Sequence, residues 1–273
     1  MIVSNIYVHP LKSGSALAIN VAVVEAKGLR FDRQWMLVDL NGKILTQLQS
    51  ARIALIASRI EGDSIVFRVP GSSRELLLPT AADPSSDRQE VVQIFKTSSR
   101  TLDCGAKAAA FFSDYLRQPV RLVRQAEGAA RSIDERFSRE TDTVSFANDF
   151  PLLVCNRASL TALNAHFEKP VPMNRFRPNI VFECEAPWTE ELWETITIGA
   201  VPFRTPRGCA RCPLVGIDQD TAARSREPLA TLARVRKVGN KVYFGQNAIP
   251  DQTGSIAVGD AIRVTAWAEA LRG

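Results

Sequence analysis

The densest chemistry in this chain lies in Arg204-Thr-Pro-Arg-Gly-Cys-Ala-Arg-Cys-Pro-Leu-Val-Gly-Ile-Asp218. Two cysteines three apart, Cys209 and Cys212, stand among Arg204, Arg207 and Arg211, and nearby guanidinium charge favours thiolate, the form that binds metals and attacks electrophiles. Three uses of such a pair compete. A zinc knuckle needs two more ligands, and no second Cys-x-x-Cys or nearby His pair is present. A thioredoxin-like redox pair belongs between a strand and a long helix, whereas Pro213 and the apolar Leu214–Ile217 run suggest a loop entering a strand. The third use is one thiolate on a soft metal centre while the arginines hold an anionic cofactor group. Of the five cysteines, Cys104, Cys155 and Cys184 sit in apolar or small-residue settings and read as packing. Cys209 is open between packing and chemistry, and Cys212, in its basic, proline-flanked loop, is the candidate ligand.

Other basic residues stand where they can converge on that loop. Lys12-Ser13-Gly14 follows the first predicted strand and offers an ammonium, a hydroxyl and backbone amides at a turn, a combination suited to phosphate. Arg33 and Arg177 each stand at the entrance to a predicted strand, and strand mouths are where barrels and sheets hold ligands.

The rest of the sequence bounds the reading. With 273 residues, 45% hydrophobic and 23% charged, the chain can bury a sizeable core. A net charge of +5 is too slight for a nucleic-acid polymer partner and suits an anionic small molecule. Two histidines, His9 and His166, exclude a three-imidazole metal site. An odd cysteine count without regular spacing, no basic region ahead of a long apolar run at the N-terminus, and no apolar run of membrane length lead to the expectation of a cytoplasmic protein with no membrane span.

Short β-type runs position these groups: Ile2–Val8, Val21–Glu25, Gln34–Asp39, Lys43–Thr46, Ile53–Arg59, Ser64–Val69, Arg74–Leu78 and Val91–Thr97. Asn41-Gly42 is the strongest hairpin signal, and Glu61-Gly62-Asp63 a second tight connection. A helix over Cys104–Arg117 is followed by a strand at Val120–Arg124 and a polar connection over 125–148. Beyond it come strands at Leu152–Cys155, Asn179–Glu183, Thr195–Ile198 and Val201–Arg204, helices at Ala158–Phe167 and Pro228–Arg234, and a strand, turn and strand over Ser255–Val264. The fold class expected is α+β and predominantly β: a smaller N-terminal α/β barrel-like domain over 1–123, then a β-barrel domain over 124–273.

In order and spacing, several segments resemble the MOSC proteins, named for the molybdenum cofactor sulfurase C-terminal domain. They are His9-Pro10-Leu11-Lys12-Ser13, Gly28–Arg33, Phe176-Arg177-Pro178-Asn179-Ile180, Cys209–Cys212, Asp218-Gln219-Asp220-Thr221 and Val258-Gly259-Asp260. The match is to the two-domain branch containing the mitochondrial amidoxime-reducing component and bacterial relatives. The resemblance implies a molybdopterin-type molybdenum cofactor with Cys212 as the protein ligand to the metal, Lys12, Ser13, Arg33 and Arg177 on the pterin and its phosphate, and Arg211 beside the metal. It also places Asn148 and Asp149 in a segment closing over the cofactor, although Asn148 departs from the family's pattern there. The implied activity is two-electron reduction of N-hydroxylated compounds such as amidoximes, N-hydroxypurines or hydroxylamines, with Asp149 and Asp218 as candidates for proton handling. A cofactor-binding carrier or sulfur-transfer module without its own turnover is the alternative. No iron–sulfur motif follows the last predicted strand, so the expected electron donor is a separate ferredoxin, flavoprotein or cytochrome b5-like protein.

Overall fold

The computed structural model describes residues 1–81, 88–94, 97–129 and 131–269. Its principal sheet is ten-stranded. From one edge the order is Leu17–Ile19, Ile2–Val8, Ile180–Glu183, Leu152–Asn156, Lys241–Pro250, Val201–Arg204, Trp193–Ile198 and Ile262–Trp267, with Gly208–Ala210 and Lys237–Val238 also pairing along Lys241–Pro250. Neighbours run antiparallel except Leu152–Asn156 and Ile180–Glu183, which are parallel. The sheet curls until Ile2 meets Ala261, but that contact is a single bridge, so no continuous ladder closes the expected barrel. Val3, Ile6, Val24, Phe182, Trp193, Phe203 and Ile262 fill the inside of the curl, all nearly excluded from water. The predominantly β, α+β class holds.

A second body lies over residues 31–125. Trp35–Val38, Arg121–Gln125, Thr97–Asp103 and Arg88–Ile94 form a four-stranded sheet, and Ala57–Glu61, Ser64–Arg68 and Glu75–Pro79 a meander beside it. The helix Gly105–Leu116 covers their shared core. Its buried Ala108, Phe111, Phe112, Tyr115 and Leu116 fall at i, i+3, i+4, i+7 and i+8, one face of a helix. It ends where Arg117 turns left-handed just before Gln118-Pro119.

The boundary expected near Val123 follows the chain rather than the sheets. Ile2–Val8 pairs with Ile180–Glu183, and Val21–Glu25 pairs with Gly254–Ala257, so these two early strands belong to the C-terminal core, whereas Leu11 between them packs into the second body. Three local expectations also change. Residues 53–59 divide into a 3-10 helix, Ala51–Leu55, and a strand, Ala57–Glu61, because a short apolar run carries no period that separates the two. Lys43–Thr46 forms only isolated bridges, Ile44 to Val38 and Lys43 to Gln93, since the Asp39 carboxylate accepts from Asn41 and Lys43 backbone amides and holds the chain in its turn. The strand expected over Val91–Thr97 is two, ending at Ile94 and resuming at Thr97; the two residues between lie outside the described set.

The strand that the sequence reading missed, Lys241–Pro250, is the longest and the most central. Tyr243 through Pro250 are all buried, with neighbours on both edges and covering on both faces, so apolar and polar residues do not alternate.

Candidate functional site

Turns at the strand ends bring the basic residues together. Lys12 and Ser13 follow Ile2–Val8, Arg33 leads into Trp35–Val38, and Arg177 ends the 3-10 helix Met173–Phe176 ahead of Ile180–Glu183. Ser13, Arg33 and Arg177 all have left-handed backbones, with φ of 68°, 51° and 56°. Non-glycine residues pay for that conformation, and surrounding contacts must hold it. Here they do: Arg33 donates to Asp32, to Asn179 Oδ1 at 3.1 Å and to the Arg177 carbonyl at 3.3 Å. Arg177 Nη1 donates to the Gly14 carbonyl at 2.7 Å and to Gln219 Oε1 at 2.8 Å. Gln47 closes the network, donating to the Ser13 carbonyl at 2.8 Å and to Gln219 Oε1 at 2.9 Å.

These turns wall a cavity of about 350 Å³ lined by Lys12, Ser13, Arg33, Asn148, Asp149, Arg177, Arg211 and Cys212, eight of the nine residues singled out from sequence. The ninth, Asp218, is elsewhere. Its carboxylate accepts from the Thr221 hydroxyl and from the Asp220 and Thr221 backbone amides and lies 3.6 Å from Arg175. Burial alone would raise its pKa, but those donors outweigh burial and lower it, so Asp218 is a turn anchor and the proton role expected of it is withdrawn.

The cavity is cationic with little acid to balance it. Lys12 is buried and donates to the Phe146 carbonyl at 2.5 Å and to Asn148 Oδ1 at 2.6 Å. Burial, then the charges of Arg131, Arg33 and Arg177, push its pKa well below the usual lysine value. Burial and the Arg33 charge likewise lower Arg177 to about 9. Asn148 and Asp149 are exposed on the wall, and Arg131 holds their segment by donating to the Ser145, Ala147 and Asn148 carbonyls.

Cys212 is exposed and begins the 3-10 turn Pro213–Gly216. No long helix follows it, which removes the thioredoxin-like reading. Among the described residues no three His, Cys, Asp or Glu side chains come together there. Arg211 donates to Cys209 Sγ at 2.9 Å and to the Phe176 carbonyl at 2.7 Å. Cys209 therefore serves as an acceptor that sets the guanidinium, leaving Cys212 the cavity thiol without a hydrogen-bond partner among the described residues.

Residues not singled out for the site also line it, including Thr46, Gln49, Asn179, Arg207 and Asn247. Arg207 had a signal, since it stands in the Cys209–Cys212 segment. Arg131 had none, as it comes from the polar connection and reaches the site only through the Arg131–Ser132 and Thr143–Val144 hairpin.

The residues present fit an anionic, metal-bearing cofactor. Arg207 Nε and Arg211 Nε are buried without hydrogen-bond partners, two donors on the walls of one cavity. A ligand with several acceptor oxygens would satisfy them. One open thiol beside them supplies a single soft ligand, which suffices only where the cofactor brings the remaining donors.

Comparison with known proteins covers most of the chain. The MOSC domain matches residues 141–263, and the MOSC N-terminal beta barrel domain matches residues 1–119. The human mitochondrial amidoxime-reducing component 1 is 30% identical over 95% of this chain and 82% of its own length. The Bos taurus mitochondrial amidoxime reducing component 2 is 31% identical over the same shares. A molybdenum cofactor sulfurase of Danio rerio is 29% identical over 89% of this chain but only 31% of that protein.

Proposed function

The chain belongs to the MOSC family, with the N-terminal beta barrel domain followed by the MOSC domain, and on that premise we propose that it is a molybdenum cofactor-dependent reductase of N-hydroxylated compounds. The observation that carries this reading is the open thiol of Cys212 on a cavity that also presents Lys12, Arg33, Arg177, Arg207 and Arg211. The names of the human and bovine relatives supply the substrate class. When bound, the molybdenum cofactor supplies the two-electron reduction that cleaves the N–O bond. Cys212 serves as its protein thiolate. Lys12, Ser13, Arg33 and Arg177, with Arg207, would hold the pterin and its phosphate, and the left-handed, hydrogen-bonded turns at Ser13, Arg33 and Arg177 keep those residues in place before the ligand arrives. Arg211, fixed by Cys209 and Phe176, adds positive charge at the wall. Asp149, exposed on the same wall, passes solvent protons from its carboxylate to the departing oxygen.

Electrons come from a separate ferredoxin, flavoprotein or cytochrome b5-like partner. Among the described residues no helix is long and apolar enough to cross a membrane. An odd count of five cysteines without regular spacing suits a reducing compartment such as the cytoplasm.

The test is elemental analysis for molybdenum, tungsten and zinc, with pterin fluorescence, on protein from a host that makes molybdopterin. It is paired with reduction of benzamidoxime by a chemical donor. About one molybdenum per chain, with turnover that disappears in Cys212→Ala, is expected. Protein without molybdenum overturns the reading. Molybdenum and pterin bound without turnover of any N-hydroxylated compound selects the carrier or sulfur-transfer alternative, which the Danio rerio relative favours.

A further inference from the structure

Arg177 lines a second cavity as well, of about 240 Å³, together with Tyr7, His9, Ser15, Asn174 and Asp220. Three buried polar atoms on its walls have no hydrogen-bond partner: His9 Nδ1, Asn174 Oδ1 and Arg177 Nη2. His9 is 1% exposed and Arg177 7%, so desolvating these atoms without a partner is costly.

Their hydrogen-bonding sense can be assigned. His9 Nε2 lies 3.2 Å from the Pro178 carbonyl, which only accepts, so the ring proton sits on Nε2. Burial and the charges of Arg177 and Arg33 hold the imidazole pKa well below its usual value, leaving the ring neutral and Nδ1 a lone-pair acceptor. Asn174 Nδ2 is directed at Asp220 Oδ2, 3.5 Å away, which leaves its carbonyl oxygen open. Arg177 Nη2 is a donor. The neighbouring Gln219 amide is already spent on Arg177, Gln47 and the Ile217 carbonyl. The buried, unpartnered atoms on these walls are thus one donor and two acceptors.

That pattern selects a ligand. An anion would face two lone pairs and the Asp220 carboxylate. A cation would face the Arg177 guanidinium. We propose that this cavity binds a small neutral molecule that presents one carbonyl acceptor beside two N–H donor hydrogens, as primary amides and ureas do. Tyr7, Ala16 and Pro178 provide the apolar wall for its body, and the exposed Ala16 and Asp220 mark the entrance. The site is independent of any metal in the first cavity, although both share Arg177.

Three ring compounds of one shape and different charge test it: benzamide, benzoate and benzamidinium, titrated calorimetrically into the full chain. Benzamide is expected to bind at least about tenfold more tightly than either ion, and Asn174→Leu to weaken it about fivefold, one hydrogen bond's worth. His9→Phe should do the same. Should that buried change disturb the fold, as seen by circular dichroism, the partly exposed Asn174 decides. No benzamide binding, tightest binding by benzoate, or an affinity unchanged in Asn174→Leu overturns the proposal. So does a crystal structure of the soaked protein showing only ordered water in this cavity.

Discussion

Cys209 and Cys212 have the same side chain but different surroundings. Arg211 donates to Cys209, whereas Cys212 is exposed at the cavity. Cys212→Ala should therefore abolish metal retention while changing folding stability by no more than about 0.5 kcal/mol, the usual range for an exposed site. Cys209→Ser keeps an acceptor for Arg211 and should retain the metal; metal content and urea melts of both variants check this. Glu190 is a second residue whose behaviour follows from its setting. Its side chain is fully buried, Ser159 donates to Oε2 at 3.0 Å, and Oε1 has no partner. Burial raises its pKa to about 7. A carboxyl with a raised folded pKa contributes stability that is fully present below about pH 4.5 and is lost as pH rises through 7. Urea melts should show wild-type stability falling over that window by about 3 kcal/mol from this group. Glu190→Gln should flatten the decline and be the more stable form at pH 8; an unchanged slope would refute the assignment.

At the scale of elements, the central strand Lys241–Pro250 depends on one glycine. Gly245 has φ of +78°, and a Cβ there would meet Cys155 Sγ at 2.6 Å and the Val154 carbonyl oxygen at 3.0 Å. Backbone strain and overpacking act together, so Gly245→Ala should destabilise by about 2–4 kcal/mol in denaturant melts, without the site being touched directly. This strand was also the element least visible in the sequence. Its residues Gly245, Gln246 and Asn247 interrupt any apolar run, and burial on both faces removes alternation. The helix Gly105–Leu116, with one buried face and a proline stop, was visible because a half-buried element writes its period into its residues.

For the whole molecule, the pairing of chain ends has a consequence for folding. Ile2–Val8 and Val21–Glu25 complete a core otherwise built from residues beyond 150, and Val3, Ile6, Val8 and Val24 lie inside it. A fragment of residues 124–273 should therefore lack a cooperative thermal transition and disperse poorly by NMR, with restoration when a peptide of residues 1–30 is added. Independent folding of the fragment would show that the first strands only decorate the core. The same arrangement explains the site: Lys12 and Ser13, early in the chain, reach Arg177, Arg207 and Cys212 only because the strand before them is held between Leu17–Ile19 and Ile180–Glu183.

Six of the cavity's residues, Lys12, Ser13, Arg33, Arg177, Arg211 and Cys212, could be singled out from the amino-acid sequence because their chemistry is local, while Asn148 and Asp149 were legible only through the family resemblance. A lysine, serine or arginine at a turn after a strand, and a cysteine among arginines beside a proline, carry their signal within a few neighbours. What the sequence could not separate were residues whose role depends on distant partners. Asp218 looks like an acid near the site until Thr221 and Arg175 are seen to hold it away, and Arg131 looks like surface until its carbonyl partners appear. The three unmatched atoms of the second cavity belong to segments more than 160 residues apart, such as His9 and Asn174. Which polar atoms remain unsatisfied is decided only after every other group has found its partner, and that is a property of the folded chain alone.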